Sequence, residues 1–409
     1  MAVASTMKGA VRLDRLRRGA LLLLAALFPV GHALWGAAAA LVTGAFLAGR
    51  SRPRSMVDVG VAAFLLAFLL AALTTPFPRV AWPSTLLVPL GILTSYAPFR
   101  RVVAADAGFA RAALWALGAG TALTAAVWSV LALRQGPQAS TGSLQYNAVG
   151  TTMAMGLVAL LGLAAFAVGR VRAALVAAAA VTAVALALTF SRGAWLAALV
   201  GVLVLLALLP GRVRGTVPLV VIALVLAGAV LVQWSDRLEA EARSIFSLTT
   251  NRNRMVLWRI SWTMVRDRPL TGSGLNTFGV LYPRYRTPDA VDEAPPFAHN
   301  IFLNMAVEGG VLGALGFAAM VGAGFVAAWR WLGRPGALGR AVPATWLATF
   351  LALMVHQQVD GTAISFHIGA GLWMLLGIFA GADPGLSRAS PGGGAGGVAR
   401  DADAGSPPP

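Results

Sequence analysis

Apolar residues run along this chain in long blocks, nearly pure in Ala, Leu and Val, with short polar breaks between them. The blocks approach the roughly 20 residues that a helix needs to cross a ~30 Å hydrocarbon core. This pattern predicts helical spans at about 18–29, 32–49, 57–74, 84–99, 110–132, 147–168, 173–190, 194–209, 216–234, 300–328, 342–358 and 364–381. The expected fold is therefore an all-α polytopic membrane protein of about twelve transmembrane helices. The first block, Gly19 to Gly49, follows the basic stretch Lys8 to Arg18 and reads as an uncleaved signal anchor. Phe28-Pro29 splits it into a hairpin, since proline removes a backbone donor and favours a bend.

Arginine then sets the sides. Arg12, Arg15, Arg17 and Arg18, then Arg50, Arg52 and Arg54, then Arg100 and Arg101, Arg170 and Arg172, Arg212 and Arg214, and Arg330, Arg334 and Arg340 fall in every second connection. The connections between them carry Arg79, Arg134 or Arg192 singly, or no charge. Basic loops stay cytoplasmic, which puts both termini inside and the long segment 235–299 outside. The expected organisation is helices 1–9 over residues 1–234, one large periplasmic loop over 235–299, helices 10–12 over 300–381, and a Gly-, Ala- and Pro-rich cytoplasmic tail over 382–409. The expected location is the inner membrane of a bacterial cell.

Composition agrees and narrows the partners. With 58% hydrophobic residues, 11% charged and a mean hydropathy of +0.76, the chain has too little polar surface to stay in water. The net charge of +17 would suggest nucleic acid in a soluble protein, but here most of it is topogenic, and no nucleic-acid partner is expected. The absence of cysteine excludes disulfides, thiolate nucleophiles and Cys-ligated metals.

The candidate chemistry lies late in the chain. Residues 251–268 read as an amphipathic helix at the membrane interface, with Leu257, Trp258, Ile260, Trp262 and Met264 on its apolar side. Pro269 ends it, and Gly272-Ser273-Gly274-Leu275-Asn276 makes a flexible turn. The next span opens His299-Asn300-Ile301-Phe302-Leu303-Asn304 and reaches Glu308-Gly309-Gly310. Asn300, Asn304 and Glu308, four apart, form a polar stripe running about 12 Å along a helix at 1.5 Å per residue. An ionisable residue that deep normally faces a cavity or a partner. His356 and Asp360 make a second pair, also four apart.

Taken together, these residues resemble the O-antigen ligase and O-antigen polymerase superfamily. The resemblance rests on Ser191-Arg192-Gly193 after a span, Arg254 with Trp258 four residues on, Pro269 to Phe278 (PLTGSGLNTF), and the stretch from His299 (HNIFLNMAVEGGVLG). It covers the chain from about Asn147 onward, and the N-terminal third matches only in hydropathy. It implies a glycosyltransferase C-like fold and a metal-independent, inverting transfer without cofactor. The donor it implies is a glycan on an undecaprenyl-pyrophosphate carrier, and the acceptor a lipid A core sugar or another glycan. Guanidinium groups suit the charge that develops on a pyrophosphate leaving group, and an imidazole can take the acceptor's proton. By similarity Arg254 and Arg192 are assigned to the pyrophosphate and His299 to the acceptor. Asn300 and Glu308 position the histidine or the sugar, and Arg259, His356 and Asp360 complete the binding candidates. The only Asp-x-Asp, Asp401 and Asp403, lies in the tail, away from any such site.

Plainer roles stand beside these. Arg192 at the end of a tight hairpin can snorkel to headgroups, and any arginine of 252–259 can supply the phosphate contact. His299 and Asn300 can cap a helix, Glu308 can pair with an arginine, and His356 with Asp360 can act as glue between helices. Among functions, the alternative is a transporter or flippase of the lipid-linked glycan. Such proteins show repeated halves and midplane polar groups. Here the polar groups gather toward the outer face. A purely structural membrane protein needs no ordered array of His, Arg and Glu.

Overall fold

The structure is a computed structural model described over residues 2–29, 55–135, 146–209, 248–334, 339–361 and 366–383. Every regular element within these residues is helical. The elements are α1 (Ala2–Leu27), α2 (Met56–Thr74), α3 (Pro78–Gly91), a π-helical turn (Ile92–Tyr96) and α4 (Ala97–Ala105). They continue as α5 (Gly108–Gln135), α6 (Tyr146–Phe166), α7 (Gly169–Ala187), α8 (Arg192–Leu208) and α9 (Leu248–Asp267). Last come α10 (Phe278–Leu281), a 3₁₀ turn (Tyr282–Arg284), α11 (Ile301–Leu332), α12 (Ala341–His356) and α13 (Phe366–Ala382).

Six of the described helical segments are long and apolar enough to cross a membrane, and α8, α12 and residues 369–382 of α13 are shorter apolar helices. The protein is a polytopic integral membrane protein, all-helical among the described residues. The expected spans 32–49 and 216–234 lie outside the described residues, as do 235–247 of the long loop and the tail from 384. The first helix ends at Leu27, beside Phe28 and Pro29, where the proline predicted a break. The fourth expected span is longer than its hydropathy suggested. Residues 78–105 run on as one apolar segment through the π-helical turn, in spite of Pro83 and Pro89.

Helices α2 and α11 pack closely because small residues let their backbones meet. A Cβ on Gly60 would lie 2.7 Å from the Met320 Cα, and one on Gly316 would lie 3.1 Å from the Ala63 carbonyl oxygen. The two helices run in opposite directions and so define two ends of the bundle. At one end Ser55 donates to Asp383, Arg334 stands 3.6 Å from Asp383, and Arg330 reaches Met56. Arg100 and Tyr96 meet Asp58 there, and Arg18 bonds Asp106. At the other end Thr74 donates to the Thr271 hydroxyl, and Thr75 bonds the Ser273 carbonyl. Arg18, Arg100 and Arg334, from three of the basic connections, thus share one end, and the 269–278 turn sits at the opposite one.

Candidate active site

The site is built on a break in α11. Gly310 adopts φ 62 and ψ −162 within it, a conformation open to glycine. An unbroken helix would bond the Val311 and Leu312 amides to the carbonyls of Val307 and Glu308. Instead the turn after α9 inserts its backbone into the gap. Ser273 N donates to the Val307 carbonyl at 3.1 Å and Gly274 N to the Glu308 carbonyl at 2.7 Å. The freed amides of Val311 and Leu312 donate to the carbonyls of Pro269 and Leu270 at 2.7 and 3.3 Å. Four backbone groups left by the break are thereby satisfied from a segment about forty residues away in sequence, as burial in a membrane protein requires.

Gly272 takes φ 65 in this seam, and a Cβ on it would lie 2.5 Å from the Glu308 carbonyl carbon. The PLTGSGLNTF segment is therefore stitched into the helix, and is not the flexible turn its glycines suggested. Ser273 and Thr277 bond each other at 2.6 Å, and both are buried. Glu308, also buried, accepts the Phe278 amide at 3.2 Å at the start of α10. It thus holds this loop.

His299 sits just before α11 with a left-handed φ of 53, and the Phe297 ring packs edge-on against it at 4.8 Å. Asn300 caps the helix: its carbonyl oxygen accepts the Leu303 amide at 3.0 Å, and its amide donates to the Gln358 carbonyl at 3.2 Å. Ile301 N donates to the Gln357 carbonyl at 2.9 Å, and the buried Asn304 accepts the Ala298 amide at 3.0 Å. These bonds clamp the backbone on both sides of His299. Its Nδ1 stands 3.4 Å from the Oδ1 of Asp360, a carboxylate only 2% exposed.

Beyond Asp360 lies a polar cavity of about 90 Å³, room for several water-sized groups. Asn147, Ser191, Arg192, Gly193, Arg254, His356 and Asp360 line it, from α6, α8, α9 and the end of α12. The first turn of α8 faces it, and the Ser191 side chain makes no capping bond. A Cβ on Gly193 would lie 2.6 Å from Val359, which accounts for glycine in Ser191-Arg192-Gly193. His356 is fully buried between α6 and α8, with Nδ1 3.0 Å from the Thr151 hydroxyl and Nε2 3.5 Å from the Ser191 hydroxyl. A larger apolar cavity of about 360 Å³ lies among Phe64, Leu87, Met305, Phe317 and Trp373, with Ile301 and Asn276 in its wall.

The structure thus gathers Arg192, Arg254, His356 and Asp360 into one cavity and joins His299 to it through Asp360. Asn300 and Glu308 fasten the backbone around it. Arg259 lies apart, 60% exposed and paired with Asp289 at 2.6 Å. Helix α9 buries Leu257, Ile260 and Met264 as its pattern predicted. Trp262 does not follow that pattern: it is exposed, with the Arg266 guanidinium 6.0 Å over its ring. Sequence reasoning missed Asn147 and Thr151 beside His356. Their signal was present as two polar groups four apart on one face of an otherwise apolar span.

Apolar helices long enough to cross a membrane converge at one end of the bundle on a polar cavity lined by Arg192 and Arg254, which defines an integral membrane protein with a charged site among its helices. Residues 177–318 match a family model described as O-antigen ligase. That match, over about a third of the chain, supports the resemblance to the O-antigen ligase and polymerase superfamily, and the matched stretch carries Arg192, Arg254, His299 and Glu308. Among curated proteins none matches the chain.

Proposed function

We propose that the protein transfers or polymerises a glycan from an undecaprenyl-pyrophosphate carrier onto a lipid A core sugar or another glycan, on the outer face of the inner membrane. The observation that carries this reading is the meeting of Arg192 and Arg254, from separate helices, in one polar cavity whose Asp360 reaches His299. In this reading the carrier's diphosphate lies between the two guanidinium groups and the first-turn amides of α8. Asp360 orients His299 through Nδ1, leaving Nε2 toward the acceptor.

The acceptor hydroxyl oxygen bonds to the anomeric carbon, and its proton passes to His299 Nε2. The bond from that carbon to the diphosphate oxygen breaks, and its electron pair leaves on the diphosphate, where the arginines stabilise it. Attack from the side opposite the leaving group inverts the anomeric centre. No step calls for a metal.

Transfer by the reconstituted full-length protein in excess EDTA tests the reading. Activity should persist, and inorganic diphosphate should compete with the donor. Activity that chelation abolishes and magnesium or manganese restores would overturn the metal-free mechanism. Movement of intact donor across the bilayer with no glycosidic bond formed would establish the transporter instead.

A further inference from the structure

The mechanism above leaves one buried group unused. His356 is 0% exposed and lines the cavity with Arg192 and Arg254, one turn before Asp360, whose amide bonds the His356 carbonyl at 2.9 Å. Its ring is held from behind. Thr151 on α6 lies 3.0 Å from Nδ1, and the same hydroxyl oxygen lies 2.9 Å from the Asn147 carbonyl, so its one proton can serve either partner. The opposite nitrogen, Nε2, is turned to the first turn of α8: it stands 3.5 Å from the Ser191 hydroxyl, and a Cβ on Gly193 would lie 3.6 Å from it. That turn is where the proposed diphosphate would sit.

We infer that Thr151 is a positioning residue for the donor: it fixes the His356 ring so that Nε2 contacts the diphosphate held by Arg192 and Arg254. This inference rests on the diphosphate reading of the cavity. An imidazole can rotate about two side-chain bonds, and only a partner on Nδ1 sets which edge faces the anion. A hydroxyl suits this place because, with its proton turned to Nδ1, the ring's own proton stays on Nε2, the nitrogen that faces the anion. Valine has nearly the same shape and cannot donate. Among the described residues the charged groups around His356 are Arg192 from α8, Arg254 from α9 and Asp360 beyond α12. On α6 the groups facing it, Asn147 and Thr151, are neutral. The relation is the one seen where an imidazole's far nitrogen is oriented by a hydrogen bond so that its near nitrogen can work.

The test uses the reconstituted full-length protein, with inorganic diphosphate as the probe and the lipid-linked donor as substrate. Losing one hydrogen bond to a substrate-contacting ring should weaken binding on the order of tenfold. Thr151→Val should therefore raise both the donor KM and the inhibition constant of inorganic diphosphate by about that factor, with kcat little changed. Thr151→Ser should restore both. Thr151→Ala, which adds no methyl group against the ring, should reproduce the valine result if valine perturbs folding.

The decisive arm is a double-mutant cycle. In a His356→Ala background, Thr151→Val should add no further loss, because the ring it positions is gone. Parental KM and inhibition constant in both Thr151→Val and Thr151→Ala would overturn the inference, as would a loss that adds fully to that of His356→Ala. Arg192→Ala and Arg254→Ala separate the two levels. If they weaken inhibition by diphosphate while the Thr151 variants do not, the inference alone fails. If they leave it unchanged, the cavity is not the diphosphate site and the proposed function fails with it.

Discussion

The two ends of the helix bundle carry similar residue types and use them differently. At the basic end, Asp58 accepts from the Tyr96 hydroxyl at 2.6 Å, from Arg100 at 2.7 Å and from the Ser55 amide at 2.7 Å. Ser55 in turn donates to Asp383, so α2, α4 and α13 are tied through one small network. The carboxylate of Asp58 is engaged at both oxygens, and such a closed network holds helices together. At the other end Asp360 is only 2% exposed, and neither of its oxygens makes a hydrogen bond among the described residues. Its neighbour is His299, at 3.4 Å, and a cavity opens beside it. A buried carboxylate with spare acceptor capacity costs stability unless a further group meets it. Burial and charge alone do not separate the two ends; the completeness of hydrogen bonding does.

The largest effect that would sharpen this contrast is at the arginines and the histidine. Arg192→Ala and His299→Ala should each lower transfer by roughly 10²–10⁴-fold while leaving folded yield in detergent near the parent. Arg100→Ala at the basic end should do the reverse, losing folded protein while each folded molecule keeps its rate. Equal losses of rate at both ends, measured per folded molecule, would erase the distinction.

Next in size is Asp360→Asn. It keeps the shape but removes the negative charge 3.4 Å from His299 Nδ1 that orients the ring in the proposed mechanism, so kcat should fall roughly 10- to 100-fold. A kcat near the parent would assign Asp360 to packing.

A smaller effect is expected from Asp58→Asn. The Arg100 and Asp58 side chains are 15% and 24% exposed, so the loss should be on the order of 1–3 kcal/mol, seen as a lower thermal midpoint with unchanged transfer.

The smallest concerns pH. The hydrogen bond from Arg18 holds Asp106 below the usual carboxylate range against a partial cost of burial. A carboxylate depressed in the folded state stabilises at pH above its unfolded value, and that share is lost as pH falls through the folded value. Asp106→Asn should therefore lower stability slightly at neutral pH, with the difference from the parent shrinking as pH falls through the acid range. A loss larger in acid than at neutral pH would contradict the sign.

Sidedness can be probed directly because the chain has no cysteine. Ser273, the natural choice from its glycine-rich surroundings, is fully buried in the seam with α11 and would not report. Asn276 is exposed at the site end, and Gly333 is exposed near the basic end. Asn276→Cys should react with an impermeant maleimide in spheroplasts, and Gly333→Cys only after permeabilisation. The opposite pattern would invert the expected orientation.

Much of this was legible in sequence because hydrophobic length and arginine placement are local signals that need no knowledge of neighbours. They sufficed for a helical membrane protein, and for Arg18, Arg100 and Arg334 to fall at one end. The spacing of His299, Asn300 and Glu308 marked the segment that matters. What the polar groups touch was decided only in three dimensions. Sequence offered Glu308 an arginine partner or a direct role, and the structure gives it the Phe278 amide. The glycines of the 272–274 turn looked like freedom of movement, yet they fill a break in α11 that no local pattern announces. Arg259 and Arg254 are close in sequence, and only helix packing turned one toward Asp289 outside and the other into the cavity. Thr151 carried no motif at all; its place behind His356 exists because α6 and α12 pack face to face. The chain determined which segments enter the membrane, since that depends on each segment's own free energy in lipid. Which side chains meet depends on the packing of helices far apart in sequence, and only the tertiary structure decided it.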